Sequence, residues 1–171
     1  KKYNIVRALD EFPIFVRNNV ALQIIKKVKS KTKTFMSDFV STRNAYGFVS
    51  SDRGKQKPFP NALKLISSAG IGFVSRNEVV KNIATIDKYK VTIGKVVPSN
   101  GEVDVTPEMG YRVITTPKIY CPGEIFTESY MLLSSFETMS EAENFVRYLI
   151  LKLPRFLLKQ TLTSMNIAKD N

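Results

Sequence analysis

Glu124-Ile125-Phe126-Thr127-Glu128-Ser129-Tyr130-Met131-Leu132-Leu133 is the stretch on which the fold turns. Its residues favour a pleated conformation, and the near-continuous apolar end, Tyr130 to Leu133, reads as strand buried on both faces. Working outward, Lys90 to Val97 alternates as a second strand, closed by the turn chemistry of Pro98-Ser99-Asn100-Gly101. Shorter strands are expected at Tyr46-Gly47-Phe48-Val49, Leu63 to Ile66, Ile71 to Val74 and Arg112 to Thr115, and Phe12 to Val16 is β-prone.

Helical spacing surrounds these strands. Val20, Ile24, Ile25 and Val28 follow an Asn18 or Asn19 cap and predict a helix to about Ser30. Val79, Val80, Ile83 and Ile86 behind Asn77 predict a second one near 78 to 87. Ser140-Glu141-Ala142-Glu143 has the capping-box pattern and opens a third through about Leu151. Pro154 then breaks or kinks that helix or starts a new one, and the tail to about Ile167 is amphipathic. The expected fold is therefore α+β: a bent antiparallel or mixed sheet braced by helices near 19 to 30, 78 to 87 and 140 to 167, with a C-terminal helical segment.

A chain of 171 residues fits a single domain, 1–171, or two small lobes, 1–87 and 88–171. Starting at Lys1-Lys2 without an initiator methionine, it reads as a fragment of a longer chain. The charge is lopsided: 26 Lys and Arg against 15 Asp and Glu give +11, which makes a polyanion the natural partner. The basic residues cluster at Lys26, Lys27, Lys29, Lys31 and Lys33 and again at Arg53, Lys55 and Lys57. One cysteine, Cys121, forms no intrachain disulfide, so a reducing, cytoplasmic home is expected, and beside Pro122 it reads as a small apolar filler. No apolar run reaches the roughly 18 residues of a membrane span, so no membrane association is expected.

The residue inventory removes most catalytic chemistry. With no histidine, imidazole-based zinc sites, histidine nucleases and Ser-His-Asp triads are excluded. Neither Glu-x-Lys nor Asp-x-Lys occurs, so the common metal-dependent nuclease pattern is missing, as are a Walker loop and an Asn-Pro-Pro-Tyr-like adenine grip. Gly70-Ile71-Gly72 lacks a third glycine and reads as a strand-start turn. Glu102 and Asp104 could pair on a cation, but a solvated acidic turn is the simpler reading. No enzyme activity, metal or cofactor is expected of this chain.

Binding chemistry remains. Arg43 and Asn44 are the side chains suited to bidentate reading of guanine and adenine. Arg53, Lys55, Lys57, Lys95 and Arg112 suit DNA contacts, Lys95 beside Gly94 where a backbone can approach a phosphate. Thr127, Glu128 and Ser129 form a polar group in a β-like setting. Glu128 has two readings: to accept from a cytosine amino group or orient an arginine, or to hold the fold together through backbone amides or Arg112. Tyr46, Phe48, Phe59 and Phe73 read as core before they read as base-stacking platforms.

Taken in order, Ile86-Asp87-Lys88-Tyr89-Lys90-Val91, Pro122-Gly123-Glu124-Ile125-Phe126-Thr127-Glu128-Ser129-Tyr130, Ala142-Glu143-Asn144-Phe145 and Pro154-Arg155-Phe156-Leu157-Leu158 resemble a known region. It is the target-recognition region of adenine-N6 DNA methyltransferases in bacterial restriction-modification systems, especially type II (type IIG) enzymes with a TaqI-like C-terminal specificity domain. Gly94-Lys95-Val96-Val97-Pro98 departs from the Ser-Lys-Ala-Tyr-Gly-like run of that family. The resemblance implies a double-stranded DNA reader joined to a catalytic methyltransferase domain. S-adenosylmethionine, and magnesium if the parent also cleaves, would then belong to the rest of the parent chain. The rival readings are a recognition domain of a type I specificity subunit, a free-standing nuclease with an unfamiliar site, and a structural docking module.

Overall fold

In the computed structural model, which describes residues 6–8, 10–12, 16, 18–96 and 113–162, the run 124–133 is two strands rather than one. Glu124–Phe126 and Tyr130–Phe136 lie in different sheets, with a turn between them. Thr127 donates its N–H to Ile66 O, and Tyr130 donates to Thr127 O at 3.1 Å, so the chain leaves one sheet and turns into the other within three residues.

The expected α+β architecture is present. In chain order its elements are α1 (Asn19–Lys31), β1 (Ala62–Ser67), β2 (Gly70–Ser75), β3 (Tyr89–Gly94), β4 (Lys118–Tyr120), β5 (Glu124–Phe126), β6 (Tyr130–Phe136), α2 (Met139–Leu149) and α3 (Lys152–Thr161). One sheet has the order β2-β1-β5, antiparallel in its hairpin and parallel between β1 and β5; the other is antiparallel, β4-β3-β6. A division into lobes 1–87 and 88–171 does not follow this pairing, because β5 lies beside β1.

The strand β3 explains the layering. Val91 and Ile93 face α2 and α3 with Leu133, Ala142, Leu149 and Leu158, while Tyr120 and Leu132, on the other face of the same sheet, pack with Leu63, Leu65, Ile125 and Phe126 of the first sheet. Burial on both faces is why β3 reads Val-Thr-Ile without a wet alternation. Phe126 is fully buried, which contributes about 1.5–3 kcal/mol, and its ring meets Tyr46 edge-on at 5.1 Å.

Several local expectations change. Residues 46–49 form no strand, because Gly47 at φ 98° and the buried Tyr46 and Phe48 make a packed turn. Residues 78–87 form no α-helix but two short 3-10 turns, Arg76–Glu78 and Ile83–Thr85. The β-branched pair Val79-Val80 disfavours the helix, and Asn82, left-handed at φ 50°, donates its side-chain amide to Ala45 O. Val79 and Ile86 are buried, whereas Val80 and Ile83 are 68% and 55% exposed, so the apolar residues never formed one stripe.

The described part of 112–115, Val113 to Thr115, is not a strand; Thr115 Oγ1 instead accepts the Gly94 N–H at 2.6 Å. In α1, Ala21, Leu22, Ile25 and Val28 form the inner face, and Val20 and Ile24 are exposed. The α2 cap is Thr138, paired with Glu141, rather than Ser140 with Glu143; this register turns Ala142, Phe145, Val146 and Leu149 to the sheet. Pro154 sits in the first turn of a new helix, where its missing N–H removes no intrahelical bond. Cys121 is exposed, not a filler: its N–H donates to Glu124 Oε2 at the surface turn around Pro122. Gly72 lets the backbone at Arg53 cross β2, since a Cβ there would lie 1.6 Å from Arg53 O. Among the described residues no helix is long and apolar enough to cross a membrane.

Lys90 is the unexpected core residue. Fully buried, it donates Nζ to Ile86 O at 2.8 Å and to Cys121 O at 2.7 Å. Burial pushes its pKa down to about 8, against the partial support of Glu124 and Asp87. Between about 8 and the ordinary lysine value of about 10.4, the unfolded chain holds a proton that the folded chain has released. Stability contributed at this site therefore rises with pH through that window, by roughly 1.4 kcal/mol per pH unit, and carries the full desolvation cost below it. Tyr46, held by burial at about 12, acts in the opposite sense only above the ordinary tyrosine value of about 10. Both carbonyls keep a backbone donor without the lysine, Gly123 N–H on Ile86 O and Glu124 N–H on Cys121 O. The Lys90→Met variant is accordingly expected to fold and to lose the rise in urea midpoint between pH 8 and 10 that wild type shows; equal slopes would contradict a buried ammonium.

Candidate nucleic-acid interface

Arg43 projects from a loop fixed on both sides. Ser41 N–H donates to Leu132 O, Val40 is buried, and Ala45 and Tyr46 are buried immediately after it. Tyr46 is held through its hydroxyl to Thr85 Oγ1 at 2.7 Å, and Thr85 donates to Asn82 O. Asn44, left-handed at φ 61°, turns the chain; its Oδ1 is buried and accepts no hydrogen bond among the described residues. With both ends of the loop packed, Thr42 and the Arg43 side chain, the latter 70% exposed, are left to solvent.

Glu128 comes to the same place from the other direction. It is in the turn between β5 and β6, where its N–H donates to Phe48 O at 2.9 Å and the preceding Thr127 is fully buried. Glu128 Oε2 accepts Arg43 Nε at 2.8 Å, and Oε1 faces the Ser50 N–H and hydroxyl at 3.5 and 3.4 Å. Ser129 donates to Ser50 Oγ, and Thr127 to Ser129 Oγ. The Tyr46 and Phe126 rings lock in contact directly behind the two loops.

The third wall is the end of β3. Lys95 N–H donates to Ser129 O at 3.1 Å, and Gly94 lies so close to Thr115 that a Cβ would be 3.0 Å from its methyl. Arg43, Ser50, Glu128, Ser129 and the segment Gly94 to Val96 thus line an open cleft of about 370 Å³. Two cations face one carboxylate there, among hydroxyl groups. The hydrogen bond from Arg43 is the main reason the Glu128 carboxyl is held below its ordinary pKa; desolvation opposes it, and Ser50 N–H and the charges of Arg43 and Lys95 add to it. The same bond raises Arg43.

Four of the ten predicted residues, Arg43, Lys95, Glu128 and Ser129, therefore meet in one cleft. Thr127 and Asn44 lie behind it, as parts of the turns that shape it. Arg53 borders it, its guanidinium returning to Ser50 O and Asp52 O. Lys55 is farther along the same loop, bridged to Phe73 on the edge of β2, with its ammonium 4.6 Å from the Phe59 ring; Lys57 is exposed beyond it. Arg112, like Glu102 and Asp104, lies outside the described residues. Glu128 combines its two sequence readings, orienting an arginine and fastening a turn, but through Arg43 and Ser50.

Sequence reasoning missed Ser50, whose only signal was its place in the polar loop 50–55. On α1, Lys26 pairs with Glu11 and Lys29 lies over Phe12, while Lys27 and Lys31, with Lys33 just past the helix end, are exposed as a separate basic surface. Among the described residues, no group of three His, Cys, Asp or Glu side chains is placed to hold a metal ion. Comparison of the chain with protein-family models, curated proteins and solved structures returned no match.

A depressed carboxylate keeps its ion pair above the ordinary glutamate pKa and loses it as pH falls through the lower folded value. An NMR titration of the Glu128 side chain should show a midpoint below that of ordinary glutamates, returning upward in Arg43→Ala. A midpoint indifferent to Arg43→Ala would remove the arginine as its cause.

Proposed function

We propose that this chain recognises double-stranded DNA by sequence, as the specificity module of a restriction-modification enzyme whose separate catalytic domain methylates adenine at N6. The observation that carries this reading is the cleft in which Arg43 is bonded to Glu128 opposite Lys95: a cationic, hydroxyl-lined site at the surface of a chain with net charge +11. A phosphate contact asks only for positive charge and a donor within reach; reading a base edge needs a donor held in one orientation, and the guanidinium bonded to Glu128 supplies it. Lys95, Arg53, Lys55 and Lys57 surround it with charge for the backbone.

On this reading the chain works in the cytoplasm on DNA and performs no chemical step itself. S-adenosylmethionine would be bound by the partner domain of the parent chain, whose methylation context rests on the sequence resemblance alone. A second reading, structural docking, is favoured by the α2–α3 junction, where Ile150, Leu151 and Leu153 are exposed together. The two surfaces are separate, so a specificity module could use both.

The test is selection from a randomised duplex pool at about 50 and 200 mM salt. One short motif should be enriched at both. Binding to it should fall with salt at about −0.9 in log K per neutralised phosphate, for about 5 to 8 phosphates. Lys95→Ala should weaken all sequences alike and reduce the slope by about 1. Motif-free binding abolished at the higher salt would leave only a generic basic surface, and no binding at either salt would favour docking.

A further inference from the structure

The way Arg43 is held says more than that a cation is present. Its Nε is engaged by Glu128 Oε2, and among the described residues nothing in the protein engages Nη1 or Nη2. A guanidinium pinned at Nε presents its two terminal amino groups side by side, as a flat pair of donors with no acceptor. The pair opens to solvent at the mouth of the cleft, while Glu128, only 15% exposed, stays behind it.

We propose that Arg43 reads one guanine end-on through Nη1 and Nη2, and that Glu128 is its positioning residue. This rests on the DNA-recognition reading above and adds the base and the device. Two parallel donors match the O6 and N7 acceptors that guanine places on one edge. Adenine offers N7 next to an amino group, which a donor-only guanidinium cannot accept, and cytosine offers a donor. Phosphate also matches a donor pair, but the carboxylate beside this arginine offsets its charge and repels an anion entering the cleft. A neutral base edge meets no such penalty. Among the described residues no carboxylate is bonded to Lys95, which is placed to take the phosphate that flanks the base.

Glu128 acts through geometry. Tethered by its own N–H to Phe48 O and by Ser50 at its second oxygen, it allows the guanidinium one orientation where a free arginine would sample many. Removing the carboxylate should therefore cost discrimination while easing the approach of any polyanion. A phosphate-binding arginine would respond in the opposite way, with discrimination unchanged.

The experiment uses the whole chain and the motif duplex recovered from the randomised pool, each guanine in turn replaced by 7-deazaguanine, which lacks the N7 acceptor. At one guanine the replacement should weaken wild-type binding at least about 5-fold, the low end for a bidentate pair, and should leave Arg43→Ala unaffected. Glu128→Gln should shrink that penalty and bind a scrambled duplex no more weakly than wild type, with an unchanged melting temperature. A motif without guanine, a 7-deazaguanine penalty that survives in Arg43→Ala, or Arg43→Ala weakening motif and scrambled duplexes alike would each overturn the assignment and leave DNA recognition standing. A pool that yields no motif would overturn both.

Discussion

One junction, built from backbone hydrogen bonds around a buried ammonium group, sets the geometry on which the rest depends. Lys90 is in the central strand of the antiparallel sheet, yet its Nζ reaches out of that sheet to Ile86 O and Cys121 O. It thereby ties the approach to β3 to the turn that precedes β5. Gly123 completes the junction, its N–H on Ile86 O and its carbonyl accepting from Lys64 in β1. A charge this deep costs desolvation, which its pKa of about 8 records, and carbonyl oxygens are the acceptors that make it bearable. The Ile86–Val91 and Pro122–Tyr130 sequence blocks, more than 30 positions apart, meet at this junction through the Gly123 N–H on Ile86 O.

From that junction the path to the cleft is short. The strand β5 has three residues, so where it starts decides where Thr127 is buried and where Glu128 emerges. The aromatic contact between Phe126 and Tyr46 then fixes the loop bearing Arg43 against the turn bearing Glu128. An exposed ion pair ordinarily adds little to stability. Here its consequence is directional: a guanidinium that would otherwise wander is held at one edge of a cleft, with Lys95 on the other. The α+β scaffold, two sheets and three helices among the described residues, serves mainly to bring these chain segments to one surface.

Much of the scaffold was legible because local rules and tertiary packing agree in it. Asn18 caps α1, the alternation in 63–66 and 71–74 marks a hairpin, and the Thr138-x-x-Glu141 box opens α2 within two residues of the expected start. Where they disagree, the reading failed. Residues 78–87 have helical spacing but β-branched content and a left-handed Asn82, and the unbroken β character of 124–133 conceals a corner, because a change of sheet needs no Gly or Pro when Thr127 and Glu128 can be bonded in place. In the site, side-chain chemistry nominated Arg43, Lys95, Glu128 and Ser129 one at a time. Their meeting was not legible: Arg43 and Glu128 are 85 positions apart, and the parallel pairing of β5 with β1, the packing of Tyr46 and the Glu128 N–H on Phe48 O bring them together. Lys90 was hidden for the same reason, since a lysine in a strand reads as a solvated residue.

Amide and arginine side-chain NMR spectra of the whole chain, titrated with duplex DNA at about 150 mM salt, ask most directly whether this cleft is where DNA is held. The DNA-recognition reading predicts that the Arg43 Nε–H resonance and the amides of Ser50, Lys95, Glu128 and Ser129 shift together and first. Shifts confined to Lys26 through Lys33, or spread evenly over the basic surface with the Arg43 Nε–H unmoved, would contradict it.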